Sequence, residues 1–151
     1  RTLTQVVVQA LSQPSSALVA AEINACSLAL VNAGSVPMRG VVCAVVVGLR
    51  LDGDQTQFIL DPEDEKLLDG TFCFALLFGI TSGSLQGKIP PSEVVWMSSR
   101  TYNGIPISLD THKLKLATEL ARKGATEVWL RMRESLGGSP SAFDHEEPME
   151  V

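Results

Sequence analysis

The chain has 151 residues, 45 % of them apolar and 5 % aromatic, with a formal net charge of −5; that is one domain's worth of sequence with enough apolar residues to build a core. The charge argues against a general nucleic-acid binder, and no uninterrupted apolar run reaches the ~18 residues of a membrane span. Cys26, Cys43 and Cys73 lie singly in apolar segments without C-x-x-C spacing, the pattern of buried reduced thiols, and His112 and His145 lack partners at metal-ligand spacing.

Arg1-Thr2-Leu3 leads directly into residues 4–11, a β-branched run that predicts a strand, so the sequence reads as starting inside a domain. Pro14 and the serines around it break the run. Ser15 or Ser16 can cap a helix over residues 17–33, because a hydroxyl there accepts from an otherwise unpaired backbone N–H, and Gly34 supplies its end. Only Glu22, Asn24, Ser27 and Asn32 interrupt the apolar surface of that helix, which predicts burial on nearly every side. Residues 41–51 form a β-rich apolar run, expected as a central strand buried on both faces. Asp52, Gly53 and Asp54 signal a hairpin turn, with the return strand over 57–60 ended by Asp61-Pro62.

A charged connector (63–69) precedes a buried strand over 70–80, a Gly/Ser/Pro loop over 81–92, and a strand over 93–100 that carries Trp96. The last helix is expected over 109–136 with Ser108 as its cap. Leu116, Leu120, Gly124, Val128, Met132 and Leu136 recur every four residues, thickened by Leu114, Ala117, Ala121 and Ala125. Glu119–Lys123 and Glu127–Arg131 stand in the favourable order for helix ion pairs. Asp144, Glu146, Glu147 and Glu150 give residues 137–151 an acidic character with no Lys or Arg, which reads as a disordered tail; 17 acids less these four leave 13 against 12 bases in the body. The fold class is α+β, a mixed sheet covered by a buried Ala-rich helix and a long amphipathic helix.

Candidate chemistry is sparse. Glu63, Asp64, Glu65 and Asp69 form the densest acidic cluster of the body and could hold Mg²⁺ or work as acid and base, but a solvated turn between strands accounts for them. The run Gly83 to Ile89 is one residue short of a phosphate-loop spacing, lacks Ser or Thr after Lys88 and opens no helix, so it reads as a surface loop. Lys113, Lys115, Arg122, Lys123, Arg131 and Arg133 are scattered along the last helix as on an ordinary wet face. Composition and spacing give an α+β domain without a convincing active site.

A resemblance adds more. The β-rich run from Val6, the Ala-rich helix ending Leu30-Val31-Asn32-Ala33-Gly34, then Pro37-Met38-Arg39, the strand over 41–51, the Asp52-Gly53 turn and Ile59-Leu60-Asp61-Pro62 follow one another as in the RNase PH family. The resemblance spans roughly residues 4–136 and is strongest to the family's inactive exosome ring subunits, with Arg133 to Leu136 adding to it. Family enzymes degrade RNA from its 3′ end with phosphate as nucleophile. They carry Gly-Gly-Thr-Arg-Thr at the start of the buried helix and two Asp residues beyond the Leu-Asp turn.

Here the phosphate-binding Thr and Arg align with Leu18 and Val19, and the two Asp positions with Leu67 and Cys73. An aliphatic group cannot donate to phosphate. The resemblance therefore implies a non-catalytic structural subunit of the exosome ring, supporting RNA processing and degradation, ribosomal RNA maturation included. It would use no cofactor or metal and no membrane. Its partners would be other RNase PH-like ring subunits, exosome cap proteins and RNA passing through the ring channel. Its location would be nucleus and nucleolus, and also cytoplasm. A true phosphorolytic 3′-to-5′ exoribonuclease and an unrelated α+β binding module stay open as alternatives.

Overall fold

The computed structural model describes residues 3–52, 55–79, 89–102 and 110–137. Its elements are α1 (Ser16–Ala33), β1 (Gly40–Asp52), β2 (Gln55–Leu60), a single 3₁₀ turn η1 (Glu65–Leu67), β3 (Gly70–Gly79), β4 (Ser92–Thr101) and α2 (Thr111–Ser135). The strands form one sheet in the order β2-β1-β3-β4. Its ladders are all antiparallel, so the α+β architecture stands while the described sheet is not mixed. Val47 to Asp52 pair with Leu60 to Gln55, and Gly40 to Leu49 pair with Gly79 to Gly70. Between β3 and β4, Ala75 faces Trp96 and Leu76 faces Val94, which leaves Val95 as the extra residue of a β-bulge.

Alternation along β1 and β3 sorts the core into two faces. Cys43, Val45, Val47, Leu49, Phe72, Phe74, Leu76 and Phe78 turn towards Ala117, Ala121, Ala125 and Met132 of α2. Val42, Ala44, Val46, Cys73 and Ala75 turn the other way and meet Ala20 and Ile23 of α1. Phe74, Phe78, Leu49 and Leu76 are fully buried, each contributing about 1.5–3 kcal/mol of burial. Small residues let α2 approach closely: a Cβ on Gly124 would lie 2.6 Å from Leu60 Cδ1. At the far end of α2, Trp129 stacks on Phe78 with ring centres 6.0 Å apart, and the Arg133 guanidinium lies 5.2 Å from the Trp129 centre.

Three expectations need correction. The β-branched run over 4–11 forms no strand. It finds no ladder among the described residues, and Leu3, Val7 and Leu11 are exposed. Burial of α1 is confined to Ser16, Ala20 and Ser27. Its length and mean hydropathy of 1.4 would suit a membrane span, with 17 % of it buried, yet polar side chains tie it to the sheet. Asn24 Nδ2 donates to the Ala44 carbonyl at 2.8 Å, and Asn24 Oδ1 accepts from the Ala44 N–H at 2.7 Å. Ala44 precedes the stretch of β1 that pairs with β2, so one carboxamide satisfies the two backbone groups that a neighbouring strand would otherwise bond. Finally, α2 begins at Thr111 with Asp110 as its cap, Asp110 Oδ1 accepting from the Lys113 N–H at 2.7 Å; Ser108 lies outside the described residues, as do Gly53, Asp54, most of the 81–92 loop and the acidic tail.

Candidate functional site at the start of the first helix

Ser15 caps α1 with its Oγ accepting from the Leu18 N–H at 3.0 Å, and its carbonyl accepts from Val19. The first turn contains no acidic residue, although a helix start favours a negative partner. That partner comes from η1. Glu65 Oε1 accepts from the Ala17 N–H at 3.1 Å, 48 residues away in sequence. Glu65 Oε2 accepts from the Tyr102 hydroxyl in a short contact. Tyr102 Oη lies 3.2 Å from Thr71 Oγ1, which lies 2.6 Å from Ser16 Oγ.

The Tyr102 hydroxyl gives its one hydrogen to Glu65, and this fixes the direction of the chain of bonds. Tyr102 donates to Glu65, Thr71 to Tyr102, and Ser16 to Thr71. The circuit thus leaves α1 at Ala17, runs through Glu65, Tyr102 and Thr71, and returns at Ser16. Thr71 is fully buried and Ser16 nearly so, so each hydroxyl needs the partner it has. Among the described residues, no Arg or Lys side chain takes part.

The four positions that the resemblance aligns with the family's catalytic residues lie on α1, η1 and β3, the elements that meet here. Leu18 is half-buried and contributes its backbone N–H to the Ser15 cap. Val19 is 36 % exposed and Leu67, on η1, is 71 % exposed. Cys73, on β3, is buried beside Ala20. Burial, with the Glu65 carboxylate as the second cause, pushes the Cys73 thiol up from 9.0 to about 11, so it stays protonated at neutral pH.

The acidic cluster does not act as a plain solvated turn. Asp64 caps η1 by accepting from the Lys66 N–H at 2.9 Å, and Asp69 Oδ2 accepts from the Leu51 N–H at 2.7 Å at the end of β1. Glu65 is the member that reaches the helix. Sequence reading missed Glu65, Thr71 and Tyr102 as a group because their contact is long-range; the one local signal was a capped helix with no acid in its first turn. Among the described residues, no group of three His, Cys, Asp or Glu could hold a metal. An apolar groove of about 540 Å³ lies elsewhere, at the far ends of α1 and α2, lined by Leu30, Val36, Met38, Trp129 and Arg133, and contains none of the aligned positions.

Two helices on a four-stranded antiparallel sheet, with α1 capped against the η1 connector, define an α+β domain. The structure is similar to the crystal structure of rice (Oryza sativa) Rrp46, with a TM-score of 0.56 and 20 % identity, covering 80 % of this chain and 48 % of that one. In sequence the chain is 34 % identical to the exosome complex component Rrp41 of Archaeoglobus fulgidus over 116 residues, 76 % of this chain and 38 % of that protein. By that structural likeness the fold is RNase PH-like, and in sequence the chain is homologous to an exosome complex component. It spans less than half the length of either relative. No family model matches it.

Proposed function

We propose that this chain serves as a non-catalytic structural subunit of an exosome-type ring, in contact with other RNase PH-like subunits and with cap proteins, around a channel for RNA. The observation that carries the reading is the chemistry at the start of α1. The positions aligned with the phosphate-binding Thr and Arg are Leu18 and Val19, and the nearby Ala17 N–H already binds the carboxylate of Glu65. A phosphate dianion brought there would meet an aliphatic side chain and a like charge instead of a fixed cation. The aligned Asp positions, Leu67 and Cys73, offer no carboxylate to a developing charge or a metal. Processing and degradation of RNA, with location in nucleus, nucleolus and cytoplasm, then belong to the assembly that the subunit supports.

The test is incubation of the chain, alone and with its ring partners, with end-labelled single-stranded RNA in the presence and absence of phosphate. No phosphate-dependent release of nucleoside diphosphates is expected. Release that requires this chain and is lost on Glu63→Gln or Asp69→Asn would overturn the reading.

A further inference from the structure

We propose that the chain's own acidic C-terminal segment docks in the apolar groove at the far ends of α1 and α2, with Phe143 as its anchor and Asp144, Glu146 and Glu147 drawn to Arg39 and Arg133. The inference is independent of the inert reading of the α1 start. The groove has about 540 Å³, within the size range of a binding cleft. Leu30, Val36, Met38, Phe78 and Trp129 give it apolar walls, and Arg133 is the one charged residue among those that line it. Arg39 is exposed and sits between two lining residues, Met38 and Gly40. Glu134, next to Arg133 in sequence, is engaged by Arg131 at 3.3 Å. Apolar walls under a positive rim suit an apolar segment with negative charge beside it.

The C-terminal segment has that chemistry and starts at the groove's edge. Leu136 lines the adjoining part of the cleft with Trp129, Met132 and Arg133. Gly137, in the left-handed region at φ 84°, turns the chain off the α2 axis. Residues 138–151 lie outside the described residues. Their sequence opens with the short side chains of Gly138, Ser139, Pro140 and Ser141. Ala142 and Phe143 follow, then Asp144, Glu146 and Glu147, with no Lys or Arg to the end. Extended chain carries Phe143 up to ~20 Å from Gly137, while Arg133 lies only ~6 Å back along the helix. A tether this short holds the segment at an effective concentration on the order of millimolar. A modest intrinsic affinity therefore fills the groove, and a separate partner would have to compete with the tail.

The experiment reads Trp129, which is half-buried. The chain has two tryptophans, so a Trp96→Ser background of the full chain leaves Trp129 as the sole reporter. Acrylamide quenching of its fluorescence is measured over a dilution series. Phe143→Ser should raise the quenching constant about twofold, because a tail closed most of the time at that effective concentration shields the ring. Circular dichroism should not change, since the substitution lies beyond α2. Neutralising the acids together (Asp144→Asn, Glu146→Gln, Glu147→Gln) should raise quenching less, because ring burial outweighs exposed ion pairs. Added salt should raise it in the native tail and not in the neutralised one. Equal quenching with Phe143 and with Ser in its place would overturn the proposal. So would protection of Trp129 that is lost on dilution, which would assign the groove to a second copy of the chain.

Discussion

At the scale of single residues, polar side chains make the long-range ties. Asn24 is the clearest case. Its carboxamide closes both backbone groups of Ala44, and Asn24→Ala would leave an N–H and a carbonyl short of partners. A loss of about 1–3 kcal/mol is expected by urea unfolding; a loss below a few tenths would mean that water replaces the carboxamide freely. Val19→Arg should behave differently. Val19 is partly exposed, so the guanidinium can stay in water and stability should change by no more than roughly 0.5 kcal/mol, without phosphorolytic activity appearing. The cysteines give a pH prediction. Burial pushes the Cys43 thiol up to about 12, and burial with Glu65 pushes Cys73 up to about 11, from 9.0. Between these values the folded chain holds protons that the unfolded chain has released. Their contribution is complete below pH 9 and is lost as pH rises through the folded values. Urea midpoints should fall from about pH 9 upward, and Cys73→Ala should flatten part of that slope even though it lowers the starting stability. An unchanged slope in the variant would remove Cys73 from the account.

Among the elements, α2 and β2 meet through a missing side chain. Gly124→Ala raises helix propensity by about 1 kcal/mol, but the new Cβ would stand 2.6 Å from Leu60 Cδ1. Overpacking of about 1–3 kcal/mol should outweigh the gain, so the melting temperature should drop; a rise would show that Leu60 yields freely. Elements governed by local rules were legible in sequence. The Ser15 cap, the Gly34 end in the left-handed region (φ 64°) and the apolar runs of β1 and β3 fell where the residues placed them. The Glu127–Arg131 pair forms at 3.1 Å, with both side chains well exposed, so it contributes little. What was not legible depended on partners. The run over 4–11 has strand composition, but a strand exists only where another strand bonds it. The apolar surface of α1 was read as burial, although apolar residues report what a helix can bury and not what is there to cover it. Glu65, Thr71 and Tyr102 come together through tertiary folding alone, so nothing in their spacing could signal a common site.

For the whole molecule, exposed apolar surface is the outstanding feature. Leu3, Val7 and Leu11 are 94 %, 78 % and 91 % exposed, and β4 presents Val94, Val95, Trp96 and Met97 at 38–49 %. Ala21, Ala25 and Ala29 form an exposed row along α1. Single exposed apolar residues are ordinary in proteins, but a helix row, an edge strand and a β-branched run exposed together form the kind of surface that interfaces use. The backbone adds to this, because among the described residues β4 is an edge of the sheet and an edge strand offers unpaired groups to another chain. A ring subunit would cover such surface with neighbouring polypeptide, and the free chain must cover it some other way. We therefore expect the isolated chain to self-associate with concentration in sedimentation velocity, and co-expression with RNase PH-like ring subunits to convert it into a discrete hetero-oligomer. Replacing Trp96 and Met97 with Ser and Lys should reduce self-association of the free chain while leaving the sheet intact by circular dichroism. A chain that sediments as a single monomer across the accessible concentration range and unfolds in one cooperative calorimetric transition would show that these faces need no partner, and would count against membership of a ring.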